Sequence, residues 1–374
     1  MLSRFKMKFL CVISSRMWIS GLLVLSPSFG GSSAGAEQGK VELGPAPLLS
    51  EADRIETPAG KQLQAVGLSV DTSSRAQVAN FFNNVYTPAF VPPIMWTGDV
   101  ASCVPGTTNP DYEQATIDVI NYFRAMTGLP GNVALDSTLN AKDQQAALMF
   151  IAEGNLSHAP PVTWKCWTMD AFTAAGNSNI SLGRHGPRAI SEGYVTDPGA
   201  SNTALGHRRW ILFPPQIIMG TGSTDAIFPT PQGDYVGSNS LWILGNPPGS
   251  FGTRPPTPEW VAWPPGGYVP YQVVFPRWSF SRQLADFSGA RVTMTQGATP
   301  ISLSVLPLST LQYGDSTIAW EPVGATGGAS VPDKKFTVTV SNVMISGTPQ
   351  DFTYNVTIID PAIASPERLA WMIY

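Results

Sequence analysis

Apolar residues recur at helical spacing in the first half of the chain and at alternate positions in the second. Ile117, Ile120 and Phe123 follow Asn109-Pro110-Asp111 at three-residue steps, and asparagine there supplies an N-cap with proline at the first helical position. Gly128 and Pro130 stop that helix. A second helix opens at Asp136-Ser137, carries Leu139, Ala146, Ala147, Phe150 and Ile151 on one face, and ends at Gly154-Asn155. Shorter helical segments are expected around Val78–Phe82 and from Pro187 to Tyr194, Leu205 to Leu212 forms a short apolar segment, and strands are expected at Ile217–Gly220 and Leu241–Leu244. Beyond Pro276 the period becomes two. Phe336, Val338 and Val340 alternate with Thr337, Thr339 and Ser341, and Phe352, Tyr354, Val356 and Ile358 repeat the pattern. With strands at 291–295, 301–306 and 317–320, this half predicts a small antiparallel sandwich.

Between the two halves, prolines recur every few residues from Pro247 to Pro276. Each fixes φ and removes an amide donor, so this stretch is expected to be a connector. The resulting division is a leader at 1–36, an extension at 37–108, a mixed domain at 109–247, the connector at 248–276, a β-sandwich at 277–360 and a tail at 361–374. Within the extension, the part before about Val70 is expected to lack order.

The leader reading rests on Arg4, Lys6 and Lys8, an apolar run from Met17 to Phe29, and Ala34-Gly35-Ala36 as a small-residue cleavage site. That run is shorter than the roughly 20 residues a membrane span needs, and no later segment is long and apolar enough to be transmembrane. Its removal changes the charge, because the first 36 residues hold four basic groups and no acid, leaving 18 basic against 26 acidic residues. So acidic a chain with no basic stripe is a poor binder of nucleic acid or anionic membrane. The expected location is secreted, periplasmic or extracellular. Export also leaves two cysteines, Cys103 and Cys166, which in an oxidising compartment form one disulfide, the alternative being two buried thiols. A bridge closing a loop of that size contributes about 4 kcal/mol.

The chain has three histidines, His158, His185 and His207, all within one stretch of about fifty residues. Imidazole chemistry is confined there. Asn121-Tyr122-x-Arg124 with Gly128-Leu129, then Leu156-Ser157-His158, Asn179-Ile180 and Gly206-His207-Arg208, resemble in order and spacing the CAP superfamily of SCP-like extracellular proteins, in its bacterial form with a C-terminal immunoglobulin-like domain. The resemblance covers about 109–247. It implies an α+β fold: an α-β-α sandwich around an antiparallel sheet, with a cleft at one face, followed by the small all-β sandwich.

In that family two histidines and two glutamates line the cleft and in some members bind a divalent metal. The resemblance places His158 and His207 as the histidines and Ser178, Asn179, Glu192, Asp197 and Arg208 as further cleft candidates. Zinc is the metal neutral imidazoles suit, but Ser178 stands where the family has a glutamate, and neither Glu192 nor Asp197 matches the second. His185, in a polar loop, reads as solvated unless it folds inward to make a three-histidine site. Ser178 has no nucleophile elbow around it. The expected function is a secreted, non-enzymatic binding module whose His-lined cleft takes a small ligand such as a lipid, sterol or glycan. The alternatives are a hydrolase using metal-bound water or His207 as base, and a structural or adhesive envelope protein acting through its C-terminal domain.

Overall fold

The computed structural model describes residues 39–49, 67–244, 251–324, 328–329 and 332–363. The leader, the Pro247 boundary and most of the expected tail lie outside the described residues. From Gly39 onward the chain forms one compact unit.

Both long helices form where the pattern places them. The first, α2 (Pro110–Met126), follows α1 (Arg75–Phe81), and its cap is the Asn109 side chain accepting from the Asp111 amide. The next, α3 (Ser137–Glu153), is capped by the Asp136 carboxylate and stopped at Gly154 with φ +70°, a left-handed conformation that glycine adopts without a Cβ penalty. Among the elements that escaped the pattern are α4 (Met169–Asn177) and the strand β3 (Ser178–Leu182) that follows it directly. The segment expected as a helix near residue 187 appears as α5 (Gly186–Arg188), continued by a π-helical turn through Val195, and the apolar segment at 205–212 holds α6 (Gly206–Ile211).

The central sheet has the order β1-β3-β5-β4-β2, where β1 is Glu42–Leu43, β2 Ala134–Leu135, β4 Ile218–Phe228 and β5 Tyr235–Trp242. All its pairings are antiparallel except β2 on β4. The period-two rule divides the side chains between two faces. Ile180, Leu182 and Trp242 join Leu139, Met149 and Phe150 in one apolar cluster. Met219 and Leu241 join Ile120, Tyr194 and Trp210 in the other. This is the expected α-β-α layering. Gly222 permits it on the α3 side, since a Cβ there would lie 2.2 Å from the Asp143 backbone.

The second half forms two facing sheets. One has the order β11-β10-β14-β15-β7 and the other β12-β13-β8-β6, with β6 Trp260–Trp263, β7 Gly267–Pro270, β8 Trp278–Arg282, β10 Arg291–Gln296, β11 Thr299–Pro300, β12 Leu303–Val305, β13 Ser316–Pro322, β14 Lys334–Ile345 and β15 Thr348–Ile359. A short β9 (Ala285–Asp286) pairs with β14. Phe336, Val338 and Val340 are buried as their alternation predicts, and ring contacts such as Phe280 with Phe352 at 5.1 Å join the inner faces. The stretch expected as a connector supplies β6 and β7. Both are edge strands, the position where proline's missing donor does least harm.

No gap in the core separates the halves. Phe123 of α2 meets Trp263 of β6 edge-on at 4.8 Å, within one apolar cluster that runs on to Trp278, Trp320 and Phe336. Cys103 and Cys166 are disulfide-bonded, tying the loop before α2 to the loop before α4. Residues 39–49, expected to lack order, are packed against the central sheet. Among the described residues no helix is long and apolar enough to cross a membrane.

Candidate functional site

His207 sits on α6, which the left-handed residue Leu205 introduces. Its ring is fully buried, stacked on Tyr194 with centroids 5.5 Å apart. The Asp197 carboxylate holds it from two sides, accepting from the His207 amide at 3.0 Å and facing Nδ1 at 2.8 Å. That contact fixes the orientation of the ring. Nε2 is buried with no partner among the described residues, and so is Oδ1 of Asn179, whose amide donates to the His207 carbonyl.

His158 follows α3 and is half-buried. Each of its ring nitrogens faces a backbone carbonyl oxygen at 2.5 Å, Ala175 at Nδ1 and Pro45 at Nε2. A neutral ring donates only once, so only the imidazolium satisfies both. Burial opposes that charge, and so does His207, and together they hold the His158 pKa below the ordinary histidine value.

The other candidates are structural. Ser178 donates to Asp143 at 2.8 Å across the α3 face of the sheet. Arg208, expected on the cleft, is buried and ties α6 to the sandwich, donating to the carbonyls of Val195 and Arg277 and to Ser279 Oγ. Arg277 answers from the other side by donating to the carbonyls of Asp197, Gly199 and Asn202. Glu192 turns outward to Arg188 at 2.6 Å and Arg184 at 3.3 Å. His185 takes a hydrogen bond with the Tyr112 hydroxyl. The solvent-facing cleft expected between the two imidazoles is therefore closed: His207, Ser178, Asn179, Asp197 and Arg208 are each at most 1% exposed.

These residues do not fit a divalent ion. A zinc site needs three protein ligands or more, and here the nitrogens of His158 face carbonyls, Asp197 is engaged by His207, and Ser178 carries no charge. Among the described residues no three histidine, cysteine or acidic side chains are placed to hold a metal.

Sequence reasoning passed over Asp143, the fully buried carboxylate at the centre of the molecule. Its Oδ1 accepts from Ser178 and Ser240 and its Oδ2 from the Trp242 amide at 2.9 Å. Burial, only partly offset by these three donors, pushes its pKa up to about 7. The signal was present in the sequence, since Asp143 lies four residues after Leu139 on the apolar face of α3.

Against this geometry, comparison with protein families matches residues 117–222 to the CAP family, described as the cysteine-rich secretory protein family. The chain carries a CAP domain. The match spans α2 through the first half of β4, so both histidines of interest and the Asp197–His207 pair belong to the CAP domain itself. No curated protein matches the chain. Among solved structures, selenomethionine PcoC, a copper resistance protein from Escherichia coli, is similar over 26% of this chain and 94% of its own at 11% identity, with a TM-score of 0.21. A likeness that slight carries no argument about the CAP domain or the sandwich.

Proposed function

We propose that this chain is an exported CAP-domain protein that binds a small acidic amphiphile and does not turn it over. The observation that carries the reading is a groove of about 780 Å³ between α6 and the β-sandwich. Its walls include Phe213, Phe251, Phe287 and Leu284, and two guanidiniums, Arg209 and Arg254, lie among them. The rest of the lining mixes apolar residues such as Leu308 and Leu311 with polar ones such as Gln283, Thr310 and Gln312, and a groove of that size with both kinds of wall suits an amphiphile.

Charge selects the headgroup. Arg254 pairs with the Asp315 carboxylate, while Arg209 donates only to carbonyls, those of Ala204 and Asp315. The Nε–H groups of both arginines are buried with no partner among the described residues. Asp286 also lines the groove but is exposed and engaged by the Ser288 amide. Arg254 alone is paired with a carboxylate of the lining and Arg209 with none, so the Arg209 guanidinium is left to meet a ligand's carboxylate or phosphate. The imidazoles support a reading without turnover: a general base must reach solvent or substrate, and neither His158 nor His207 has an exposed free nitrogen. Export rests on the leader reading and on the disulfide, and the intact mass of protein recovered outside the cell tests cleavage after Ala36.

The binding test uses hexadecanoic acid and its methyl ester, followed by calorimetry. The acid should bind the wild-type chain with 1:1 stoichiometry and the ester at least tenfold more weakly. Arg209→Met should weaken acid binding by about ten- to hundredfold, the size of one charge-assisted hydrogen bond. Equal affinity for acid and ester, or an unchanged affinity in Arg209→Met, overturns the reading.

A further inference from the structure

Residues 40–47 read Lys-Val-Glu-Leu-Gly-Pro-Ala-Pro, and they lie across the CAP domain in the manner of a bound peptide. The first half adds a strand to the sheet edge: Glu42 and Leu43 pair antiparallel with Leu182 and Ser181, and the Gly44 amide donates to the Ile180 carbonyl at 3.3 Å. The second half cannot continue a ladder, because Pro45 and Pro47 have no amide proton. Gly44 and Ala46 each precede a proline and are held extended. At each proline such a backbone offers only a carbonyl, and the domain sets a nitrogen against each: His158 Nε2 at the Pro45 oxygen, 2.5 Å, a donor in the tautomer protonated there, and the Trp210 indole at the Pro47 oxygen, 2.9 Å. Strand addition followed by reading of extended, proline-rich backbone is how peptide-binding domains take their ligands.

The side chains are read as well. Lys40 lies over the ring of Tyr235, whose hydroxyl donates to Glu42 at 2.5 Å. Gly44 has no room for a Cβ, which would lie 2.8 Å from Ile180 Cγ1. Ala46 is buried against Gly206, where an added Cβ would come within 2.6 Å of the Ala46 methyl. Tight fit at 44 and 46, donors at 45 and 47 and charge recognition at 40 and 42 make up a register, and a random covering loop would not need one.

We propose that this surface of the CAP domain is a binding site for an extended peptide of the type Glu-Leu-Gly-Pro-Ala-Pro, filled in this chain by its own residues 40–47 and open to the same sequence in trans when that segment is displaced. The site adjoins the Arg209–Arg254 groove, whose wall includes Leu49, but it does not rest on the ligand assigned there. Tethering gives the internal segment an effective concentration in the millimolar range, so a free peptide competes poorly until the tether's own fit is spoiled.

The test uses the full chain with Ala46→Arg, which overfills the contact with Gly206 at the rim of the apolar cluster, and a fluorescent synthetic peptide of residues 39–49. Anisotropy should show the variant binding this peptide at least a hundredfold more tightly than wild type, and a peptide carrying Gly44→Leu should lose that binding. Equal peptide affinity in the two chains, with the variant's far-ultraviolet dichroism unchanged, overturns the proposal. Should Ala46→Arg fail to fold, the wild-type chain cut at a protease site inserted between Leu49 and Gly67 serves instead. Excess synthetic peptide should then displace the cut segment at 1:1 stoichiometry; a segment that cannot be exchanged overturns the proposal. Fatty-acid binding measured on the same samples separates this outcome from failure of the groove assignment.

Discussion

Arg124→Met should abolish folding of the whole chain, or lower its melting temperature by more than about 10 °C, although methionine is close in size and suits a buried site. Arg124 is fully buried and has no acidic partner among the described residues; it is surrounded by main-chain oxygens. Nε donates to Pro130, Nη1 to Ile211 and Phe213, and Nη2 to Pro214 and Gln216, at 2.9 to 3.3 Å. A guanidinium has five N–H donors in a fixed fork, and here all five are used. One side chain on α2 thereby closes two loops, the one after α2 and the one joining α6 to β4. Methionine would leave four of these carbonyls without donors, the Phe213 oxygen keeping the Gln216 amide, each costing roughly 1–3 kcal/mol when buried, against a typical total stability of about 5–15 kcal/mol. Lysine, with three donors on a mobile stem, should rescue little. Far-ultraviolet dichroism through a thermal scan checks this, and a melting temperature within a few degrees of wild type would mean that water replaces the guanidinium.

That residue also shows what the sequence carried and what it did not. Arg124 stood out by its place beside Asn121 and Tyr122, yet its partners are carbonyls, which leave no mark in a sequence. The helices α2 and α3 were legible because their stripes are apolar and their caps are local. Strands β14 and β15 were legible because one face is wet and the other dry. The central sheet was harder to see. Ser178, Asn179 and Ser181 on β3, and Ser238, Asn239 and Ser240 on β5, are all buried, so hydropathy does not alternate along strands that geometrically do. Those polar groups bond across layers: Ser238 to the Ala147 carbonyl of α3, Asn239 to the Gly222 carbonyl, Ser178 and Ser240 to Asp143. Residues 39–49 were read as lacking order for a similar reason, since a short strand followed by alternating prolines has no local stability and gains its structure from Ile180, His158 and Trp210.

The site was legible in position more than in role. His207 and Asp197 were both singled out, and they do meet, but as a sealed pair. Glu192, chosen for its charge, lies four residues after Arg188 and does what such spacing favours on a helical surface. Asp143 was passed over because an acid within an apolar stripe resembles a break in the pattern, when it is the point through which α3 grips β3 and β5.

Asp143 should accordingly dominate the pH dependence of stability. Its folded pKa lies near 7, above the ordinary aspartate value of about 3.9. A raised folded value means that the native state holds a proton the unfolded state has lost. The resulting stabilisation is fully present below the unfolded pKa and is lost as pH rises through the folded one, so this residue's contribution should decline between about pH 4 and pH 7 and level off above. Three pKa units correspond to roughly 4 kcal/mol. His158 and His185 act in the opposite sense, because burial lowers both pKa values and their contribution therefore falls as pH drops below about 6.5. The whole-protein curve mixes these opposed slopes, and the difference between wild type and Asp143→Asn isolates the carboxyl. Asparagine keeps an acceptor for the Ser178 and Ser240 hydroxyls but turns an amide donor toward the Trp242 N–H, a cost of about 1–3 kcal/mol that does not titrate. Urea unfolding should therefore find wild type the more stable protein at pH 5 and the gap closing or reversing by pH 8. Asp143→Leu, which strands two hydroxyls and an amide, should be less stable than wild type by several kcal/mol at both ends of that range. A difference between wild type and Asp143→Asn that stays constant from pH 5 to pH 8 would mean that the carboxyl is already ionised throughout, its three donors outweighing its burial.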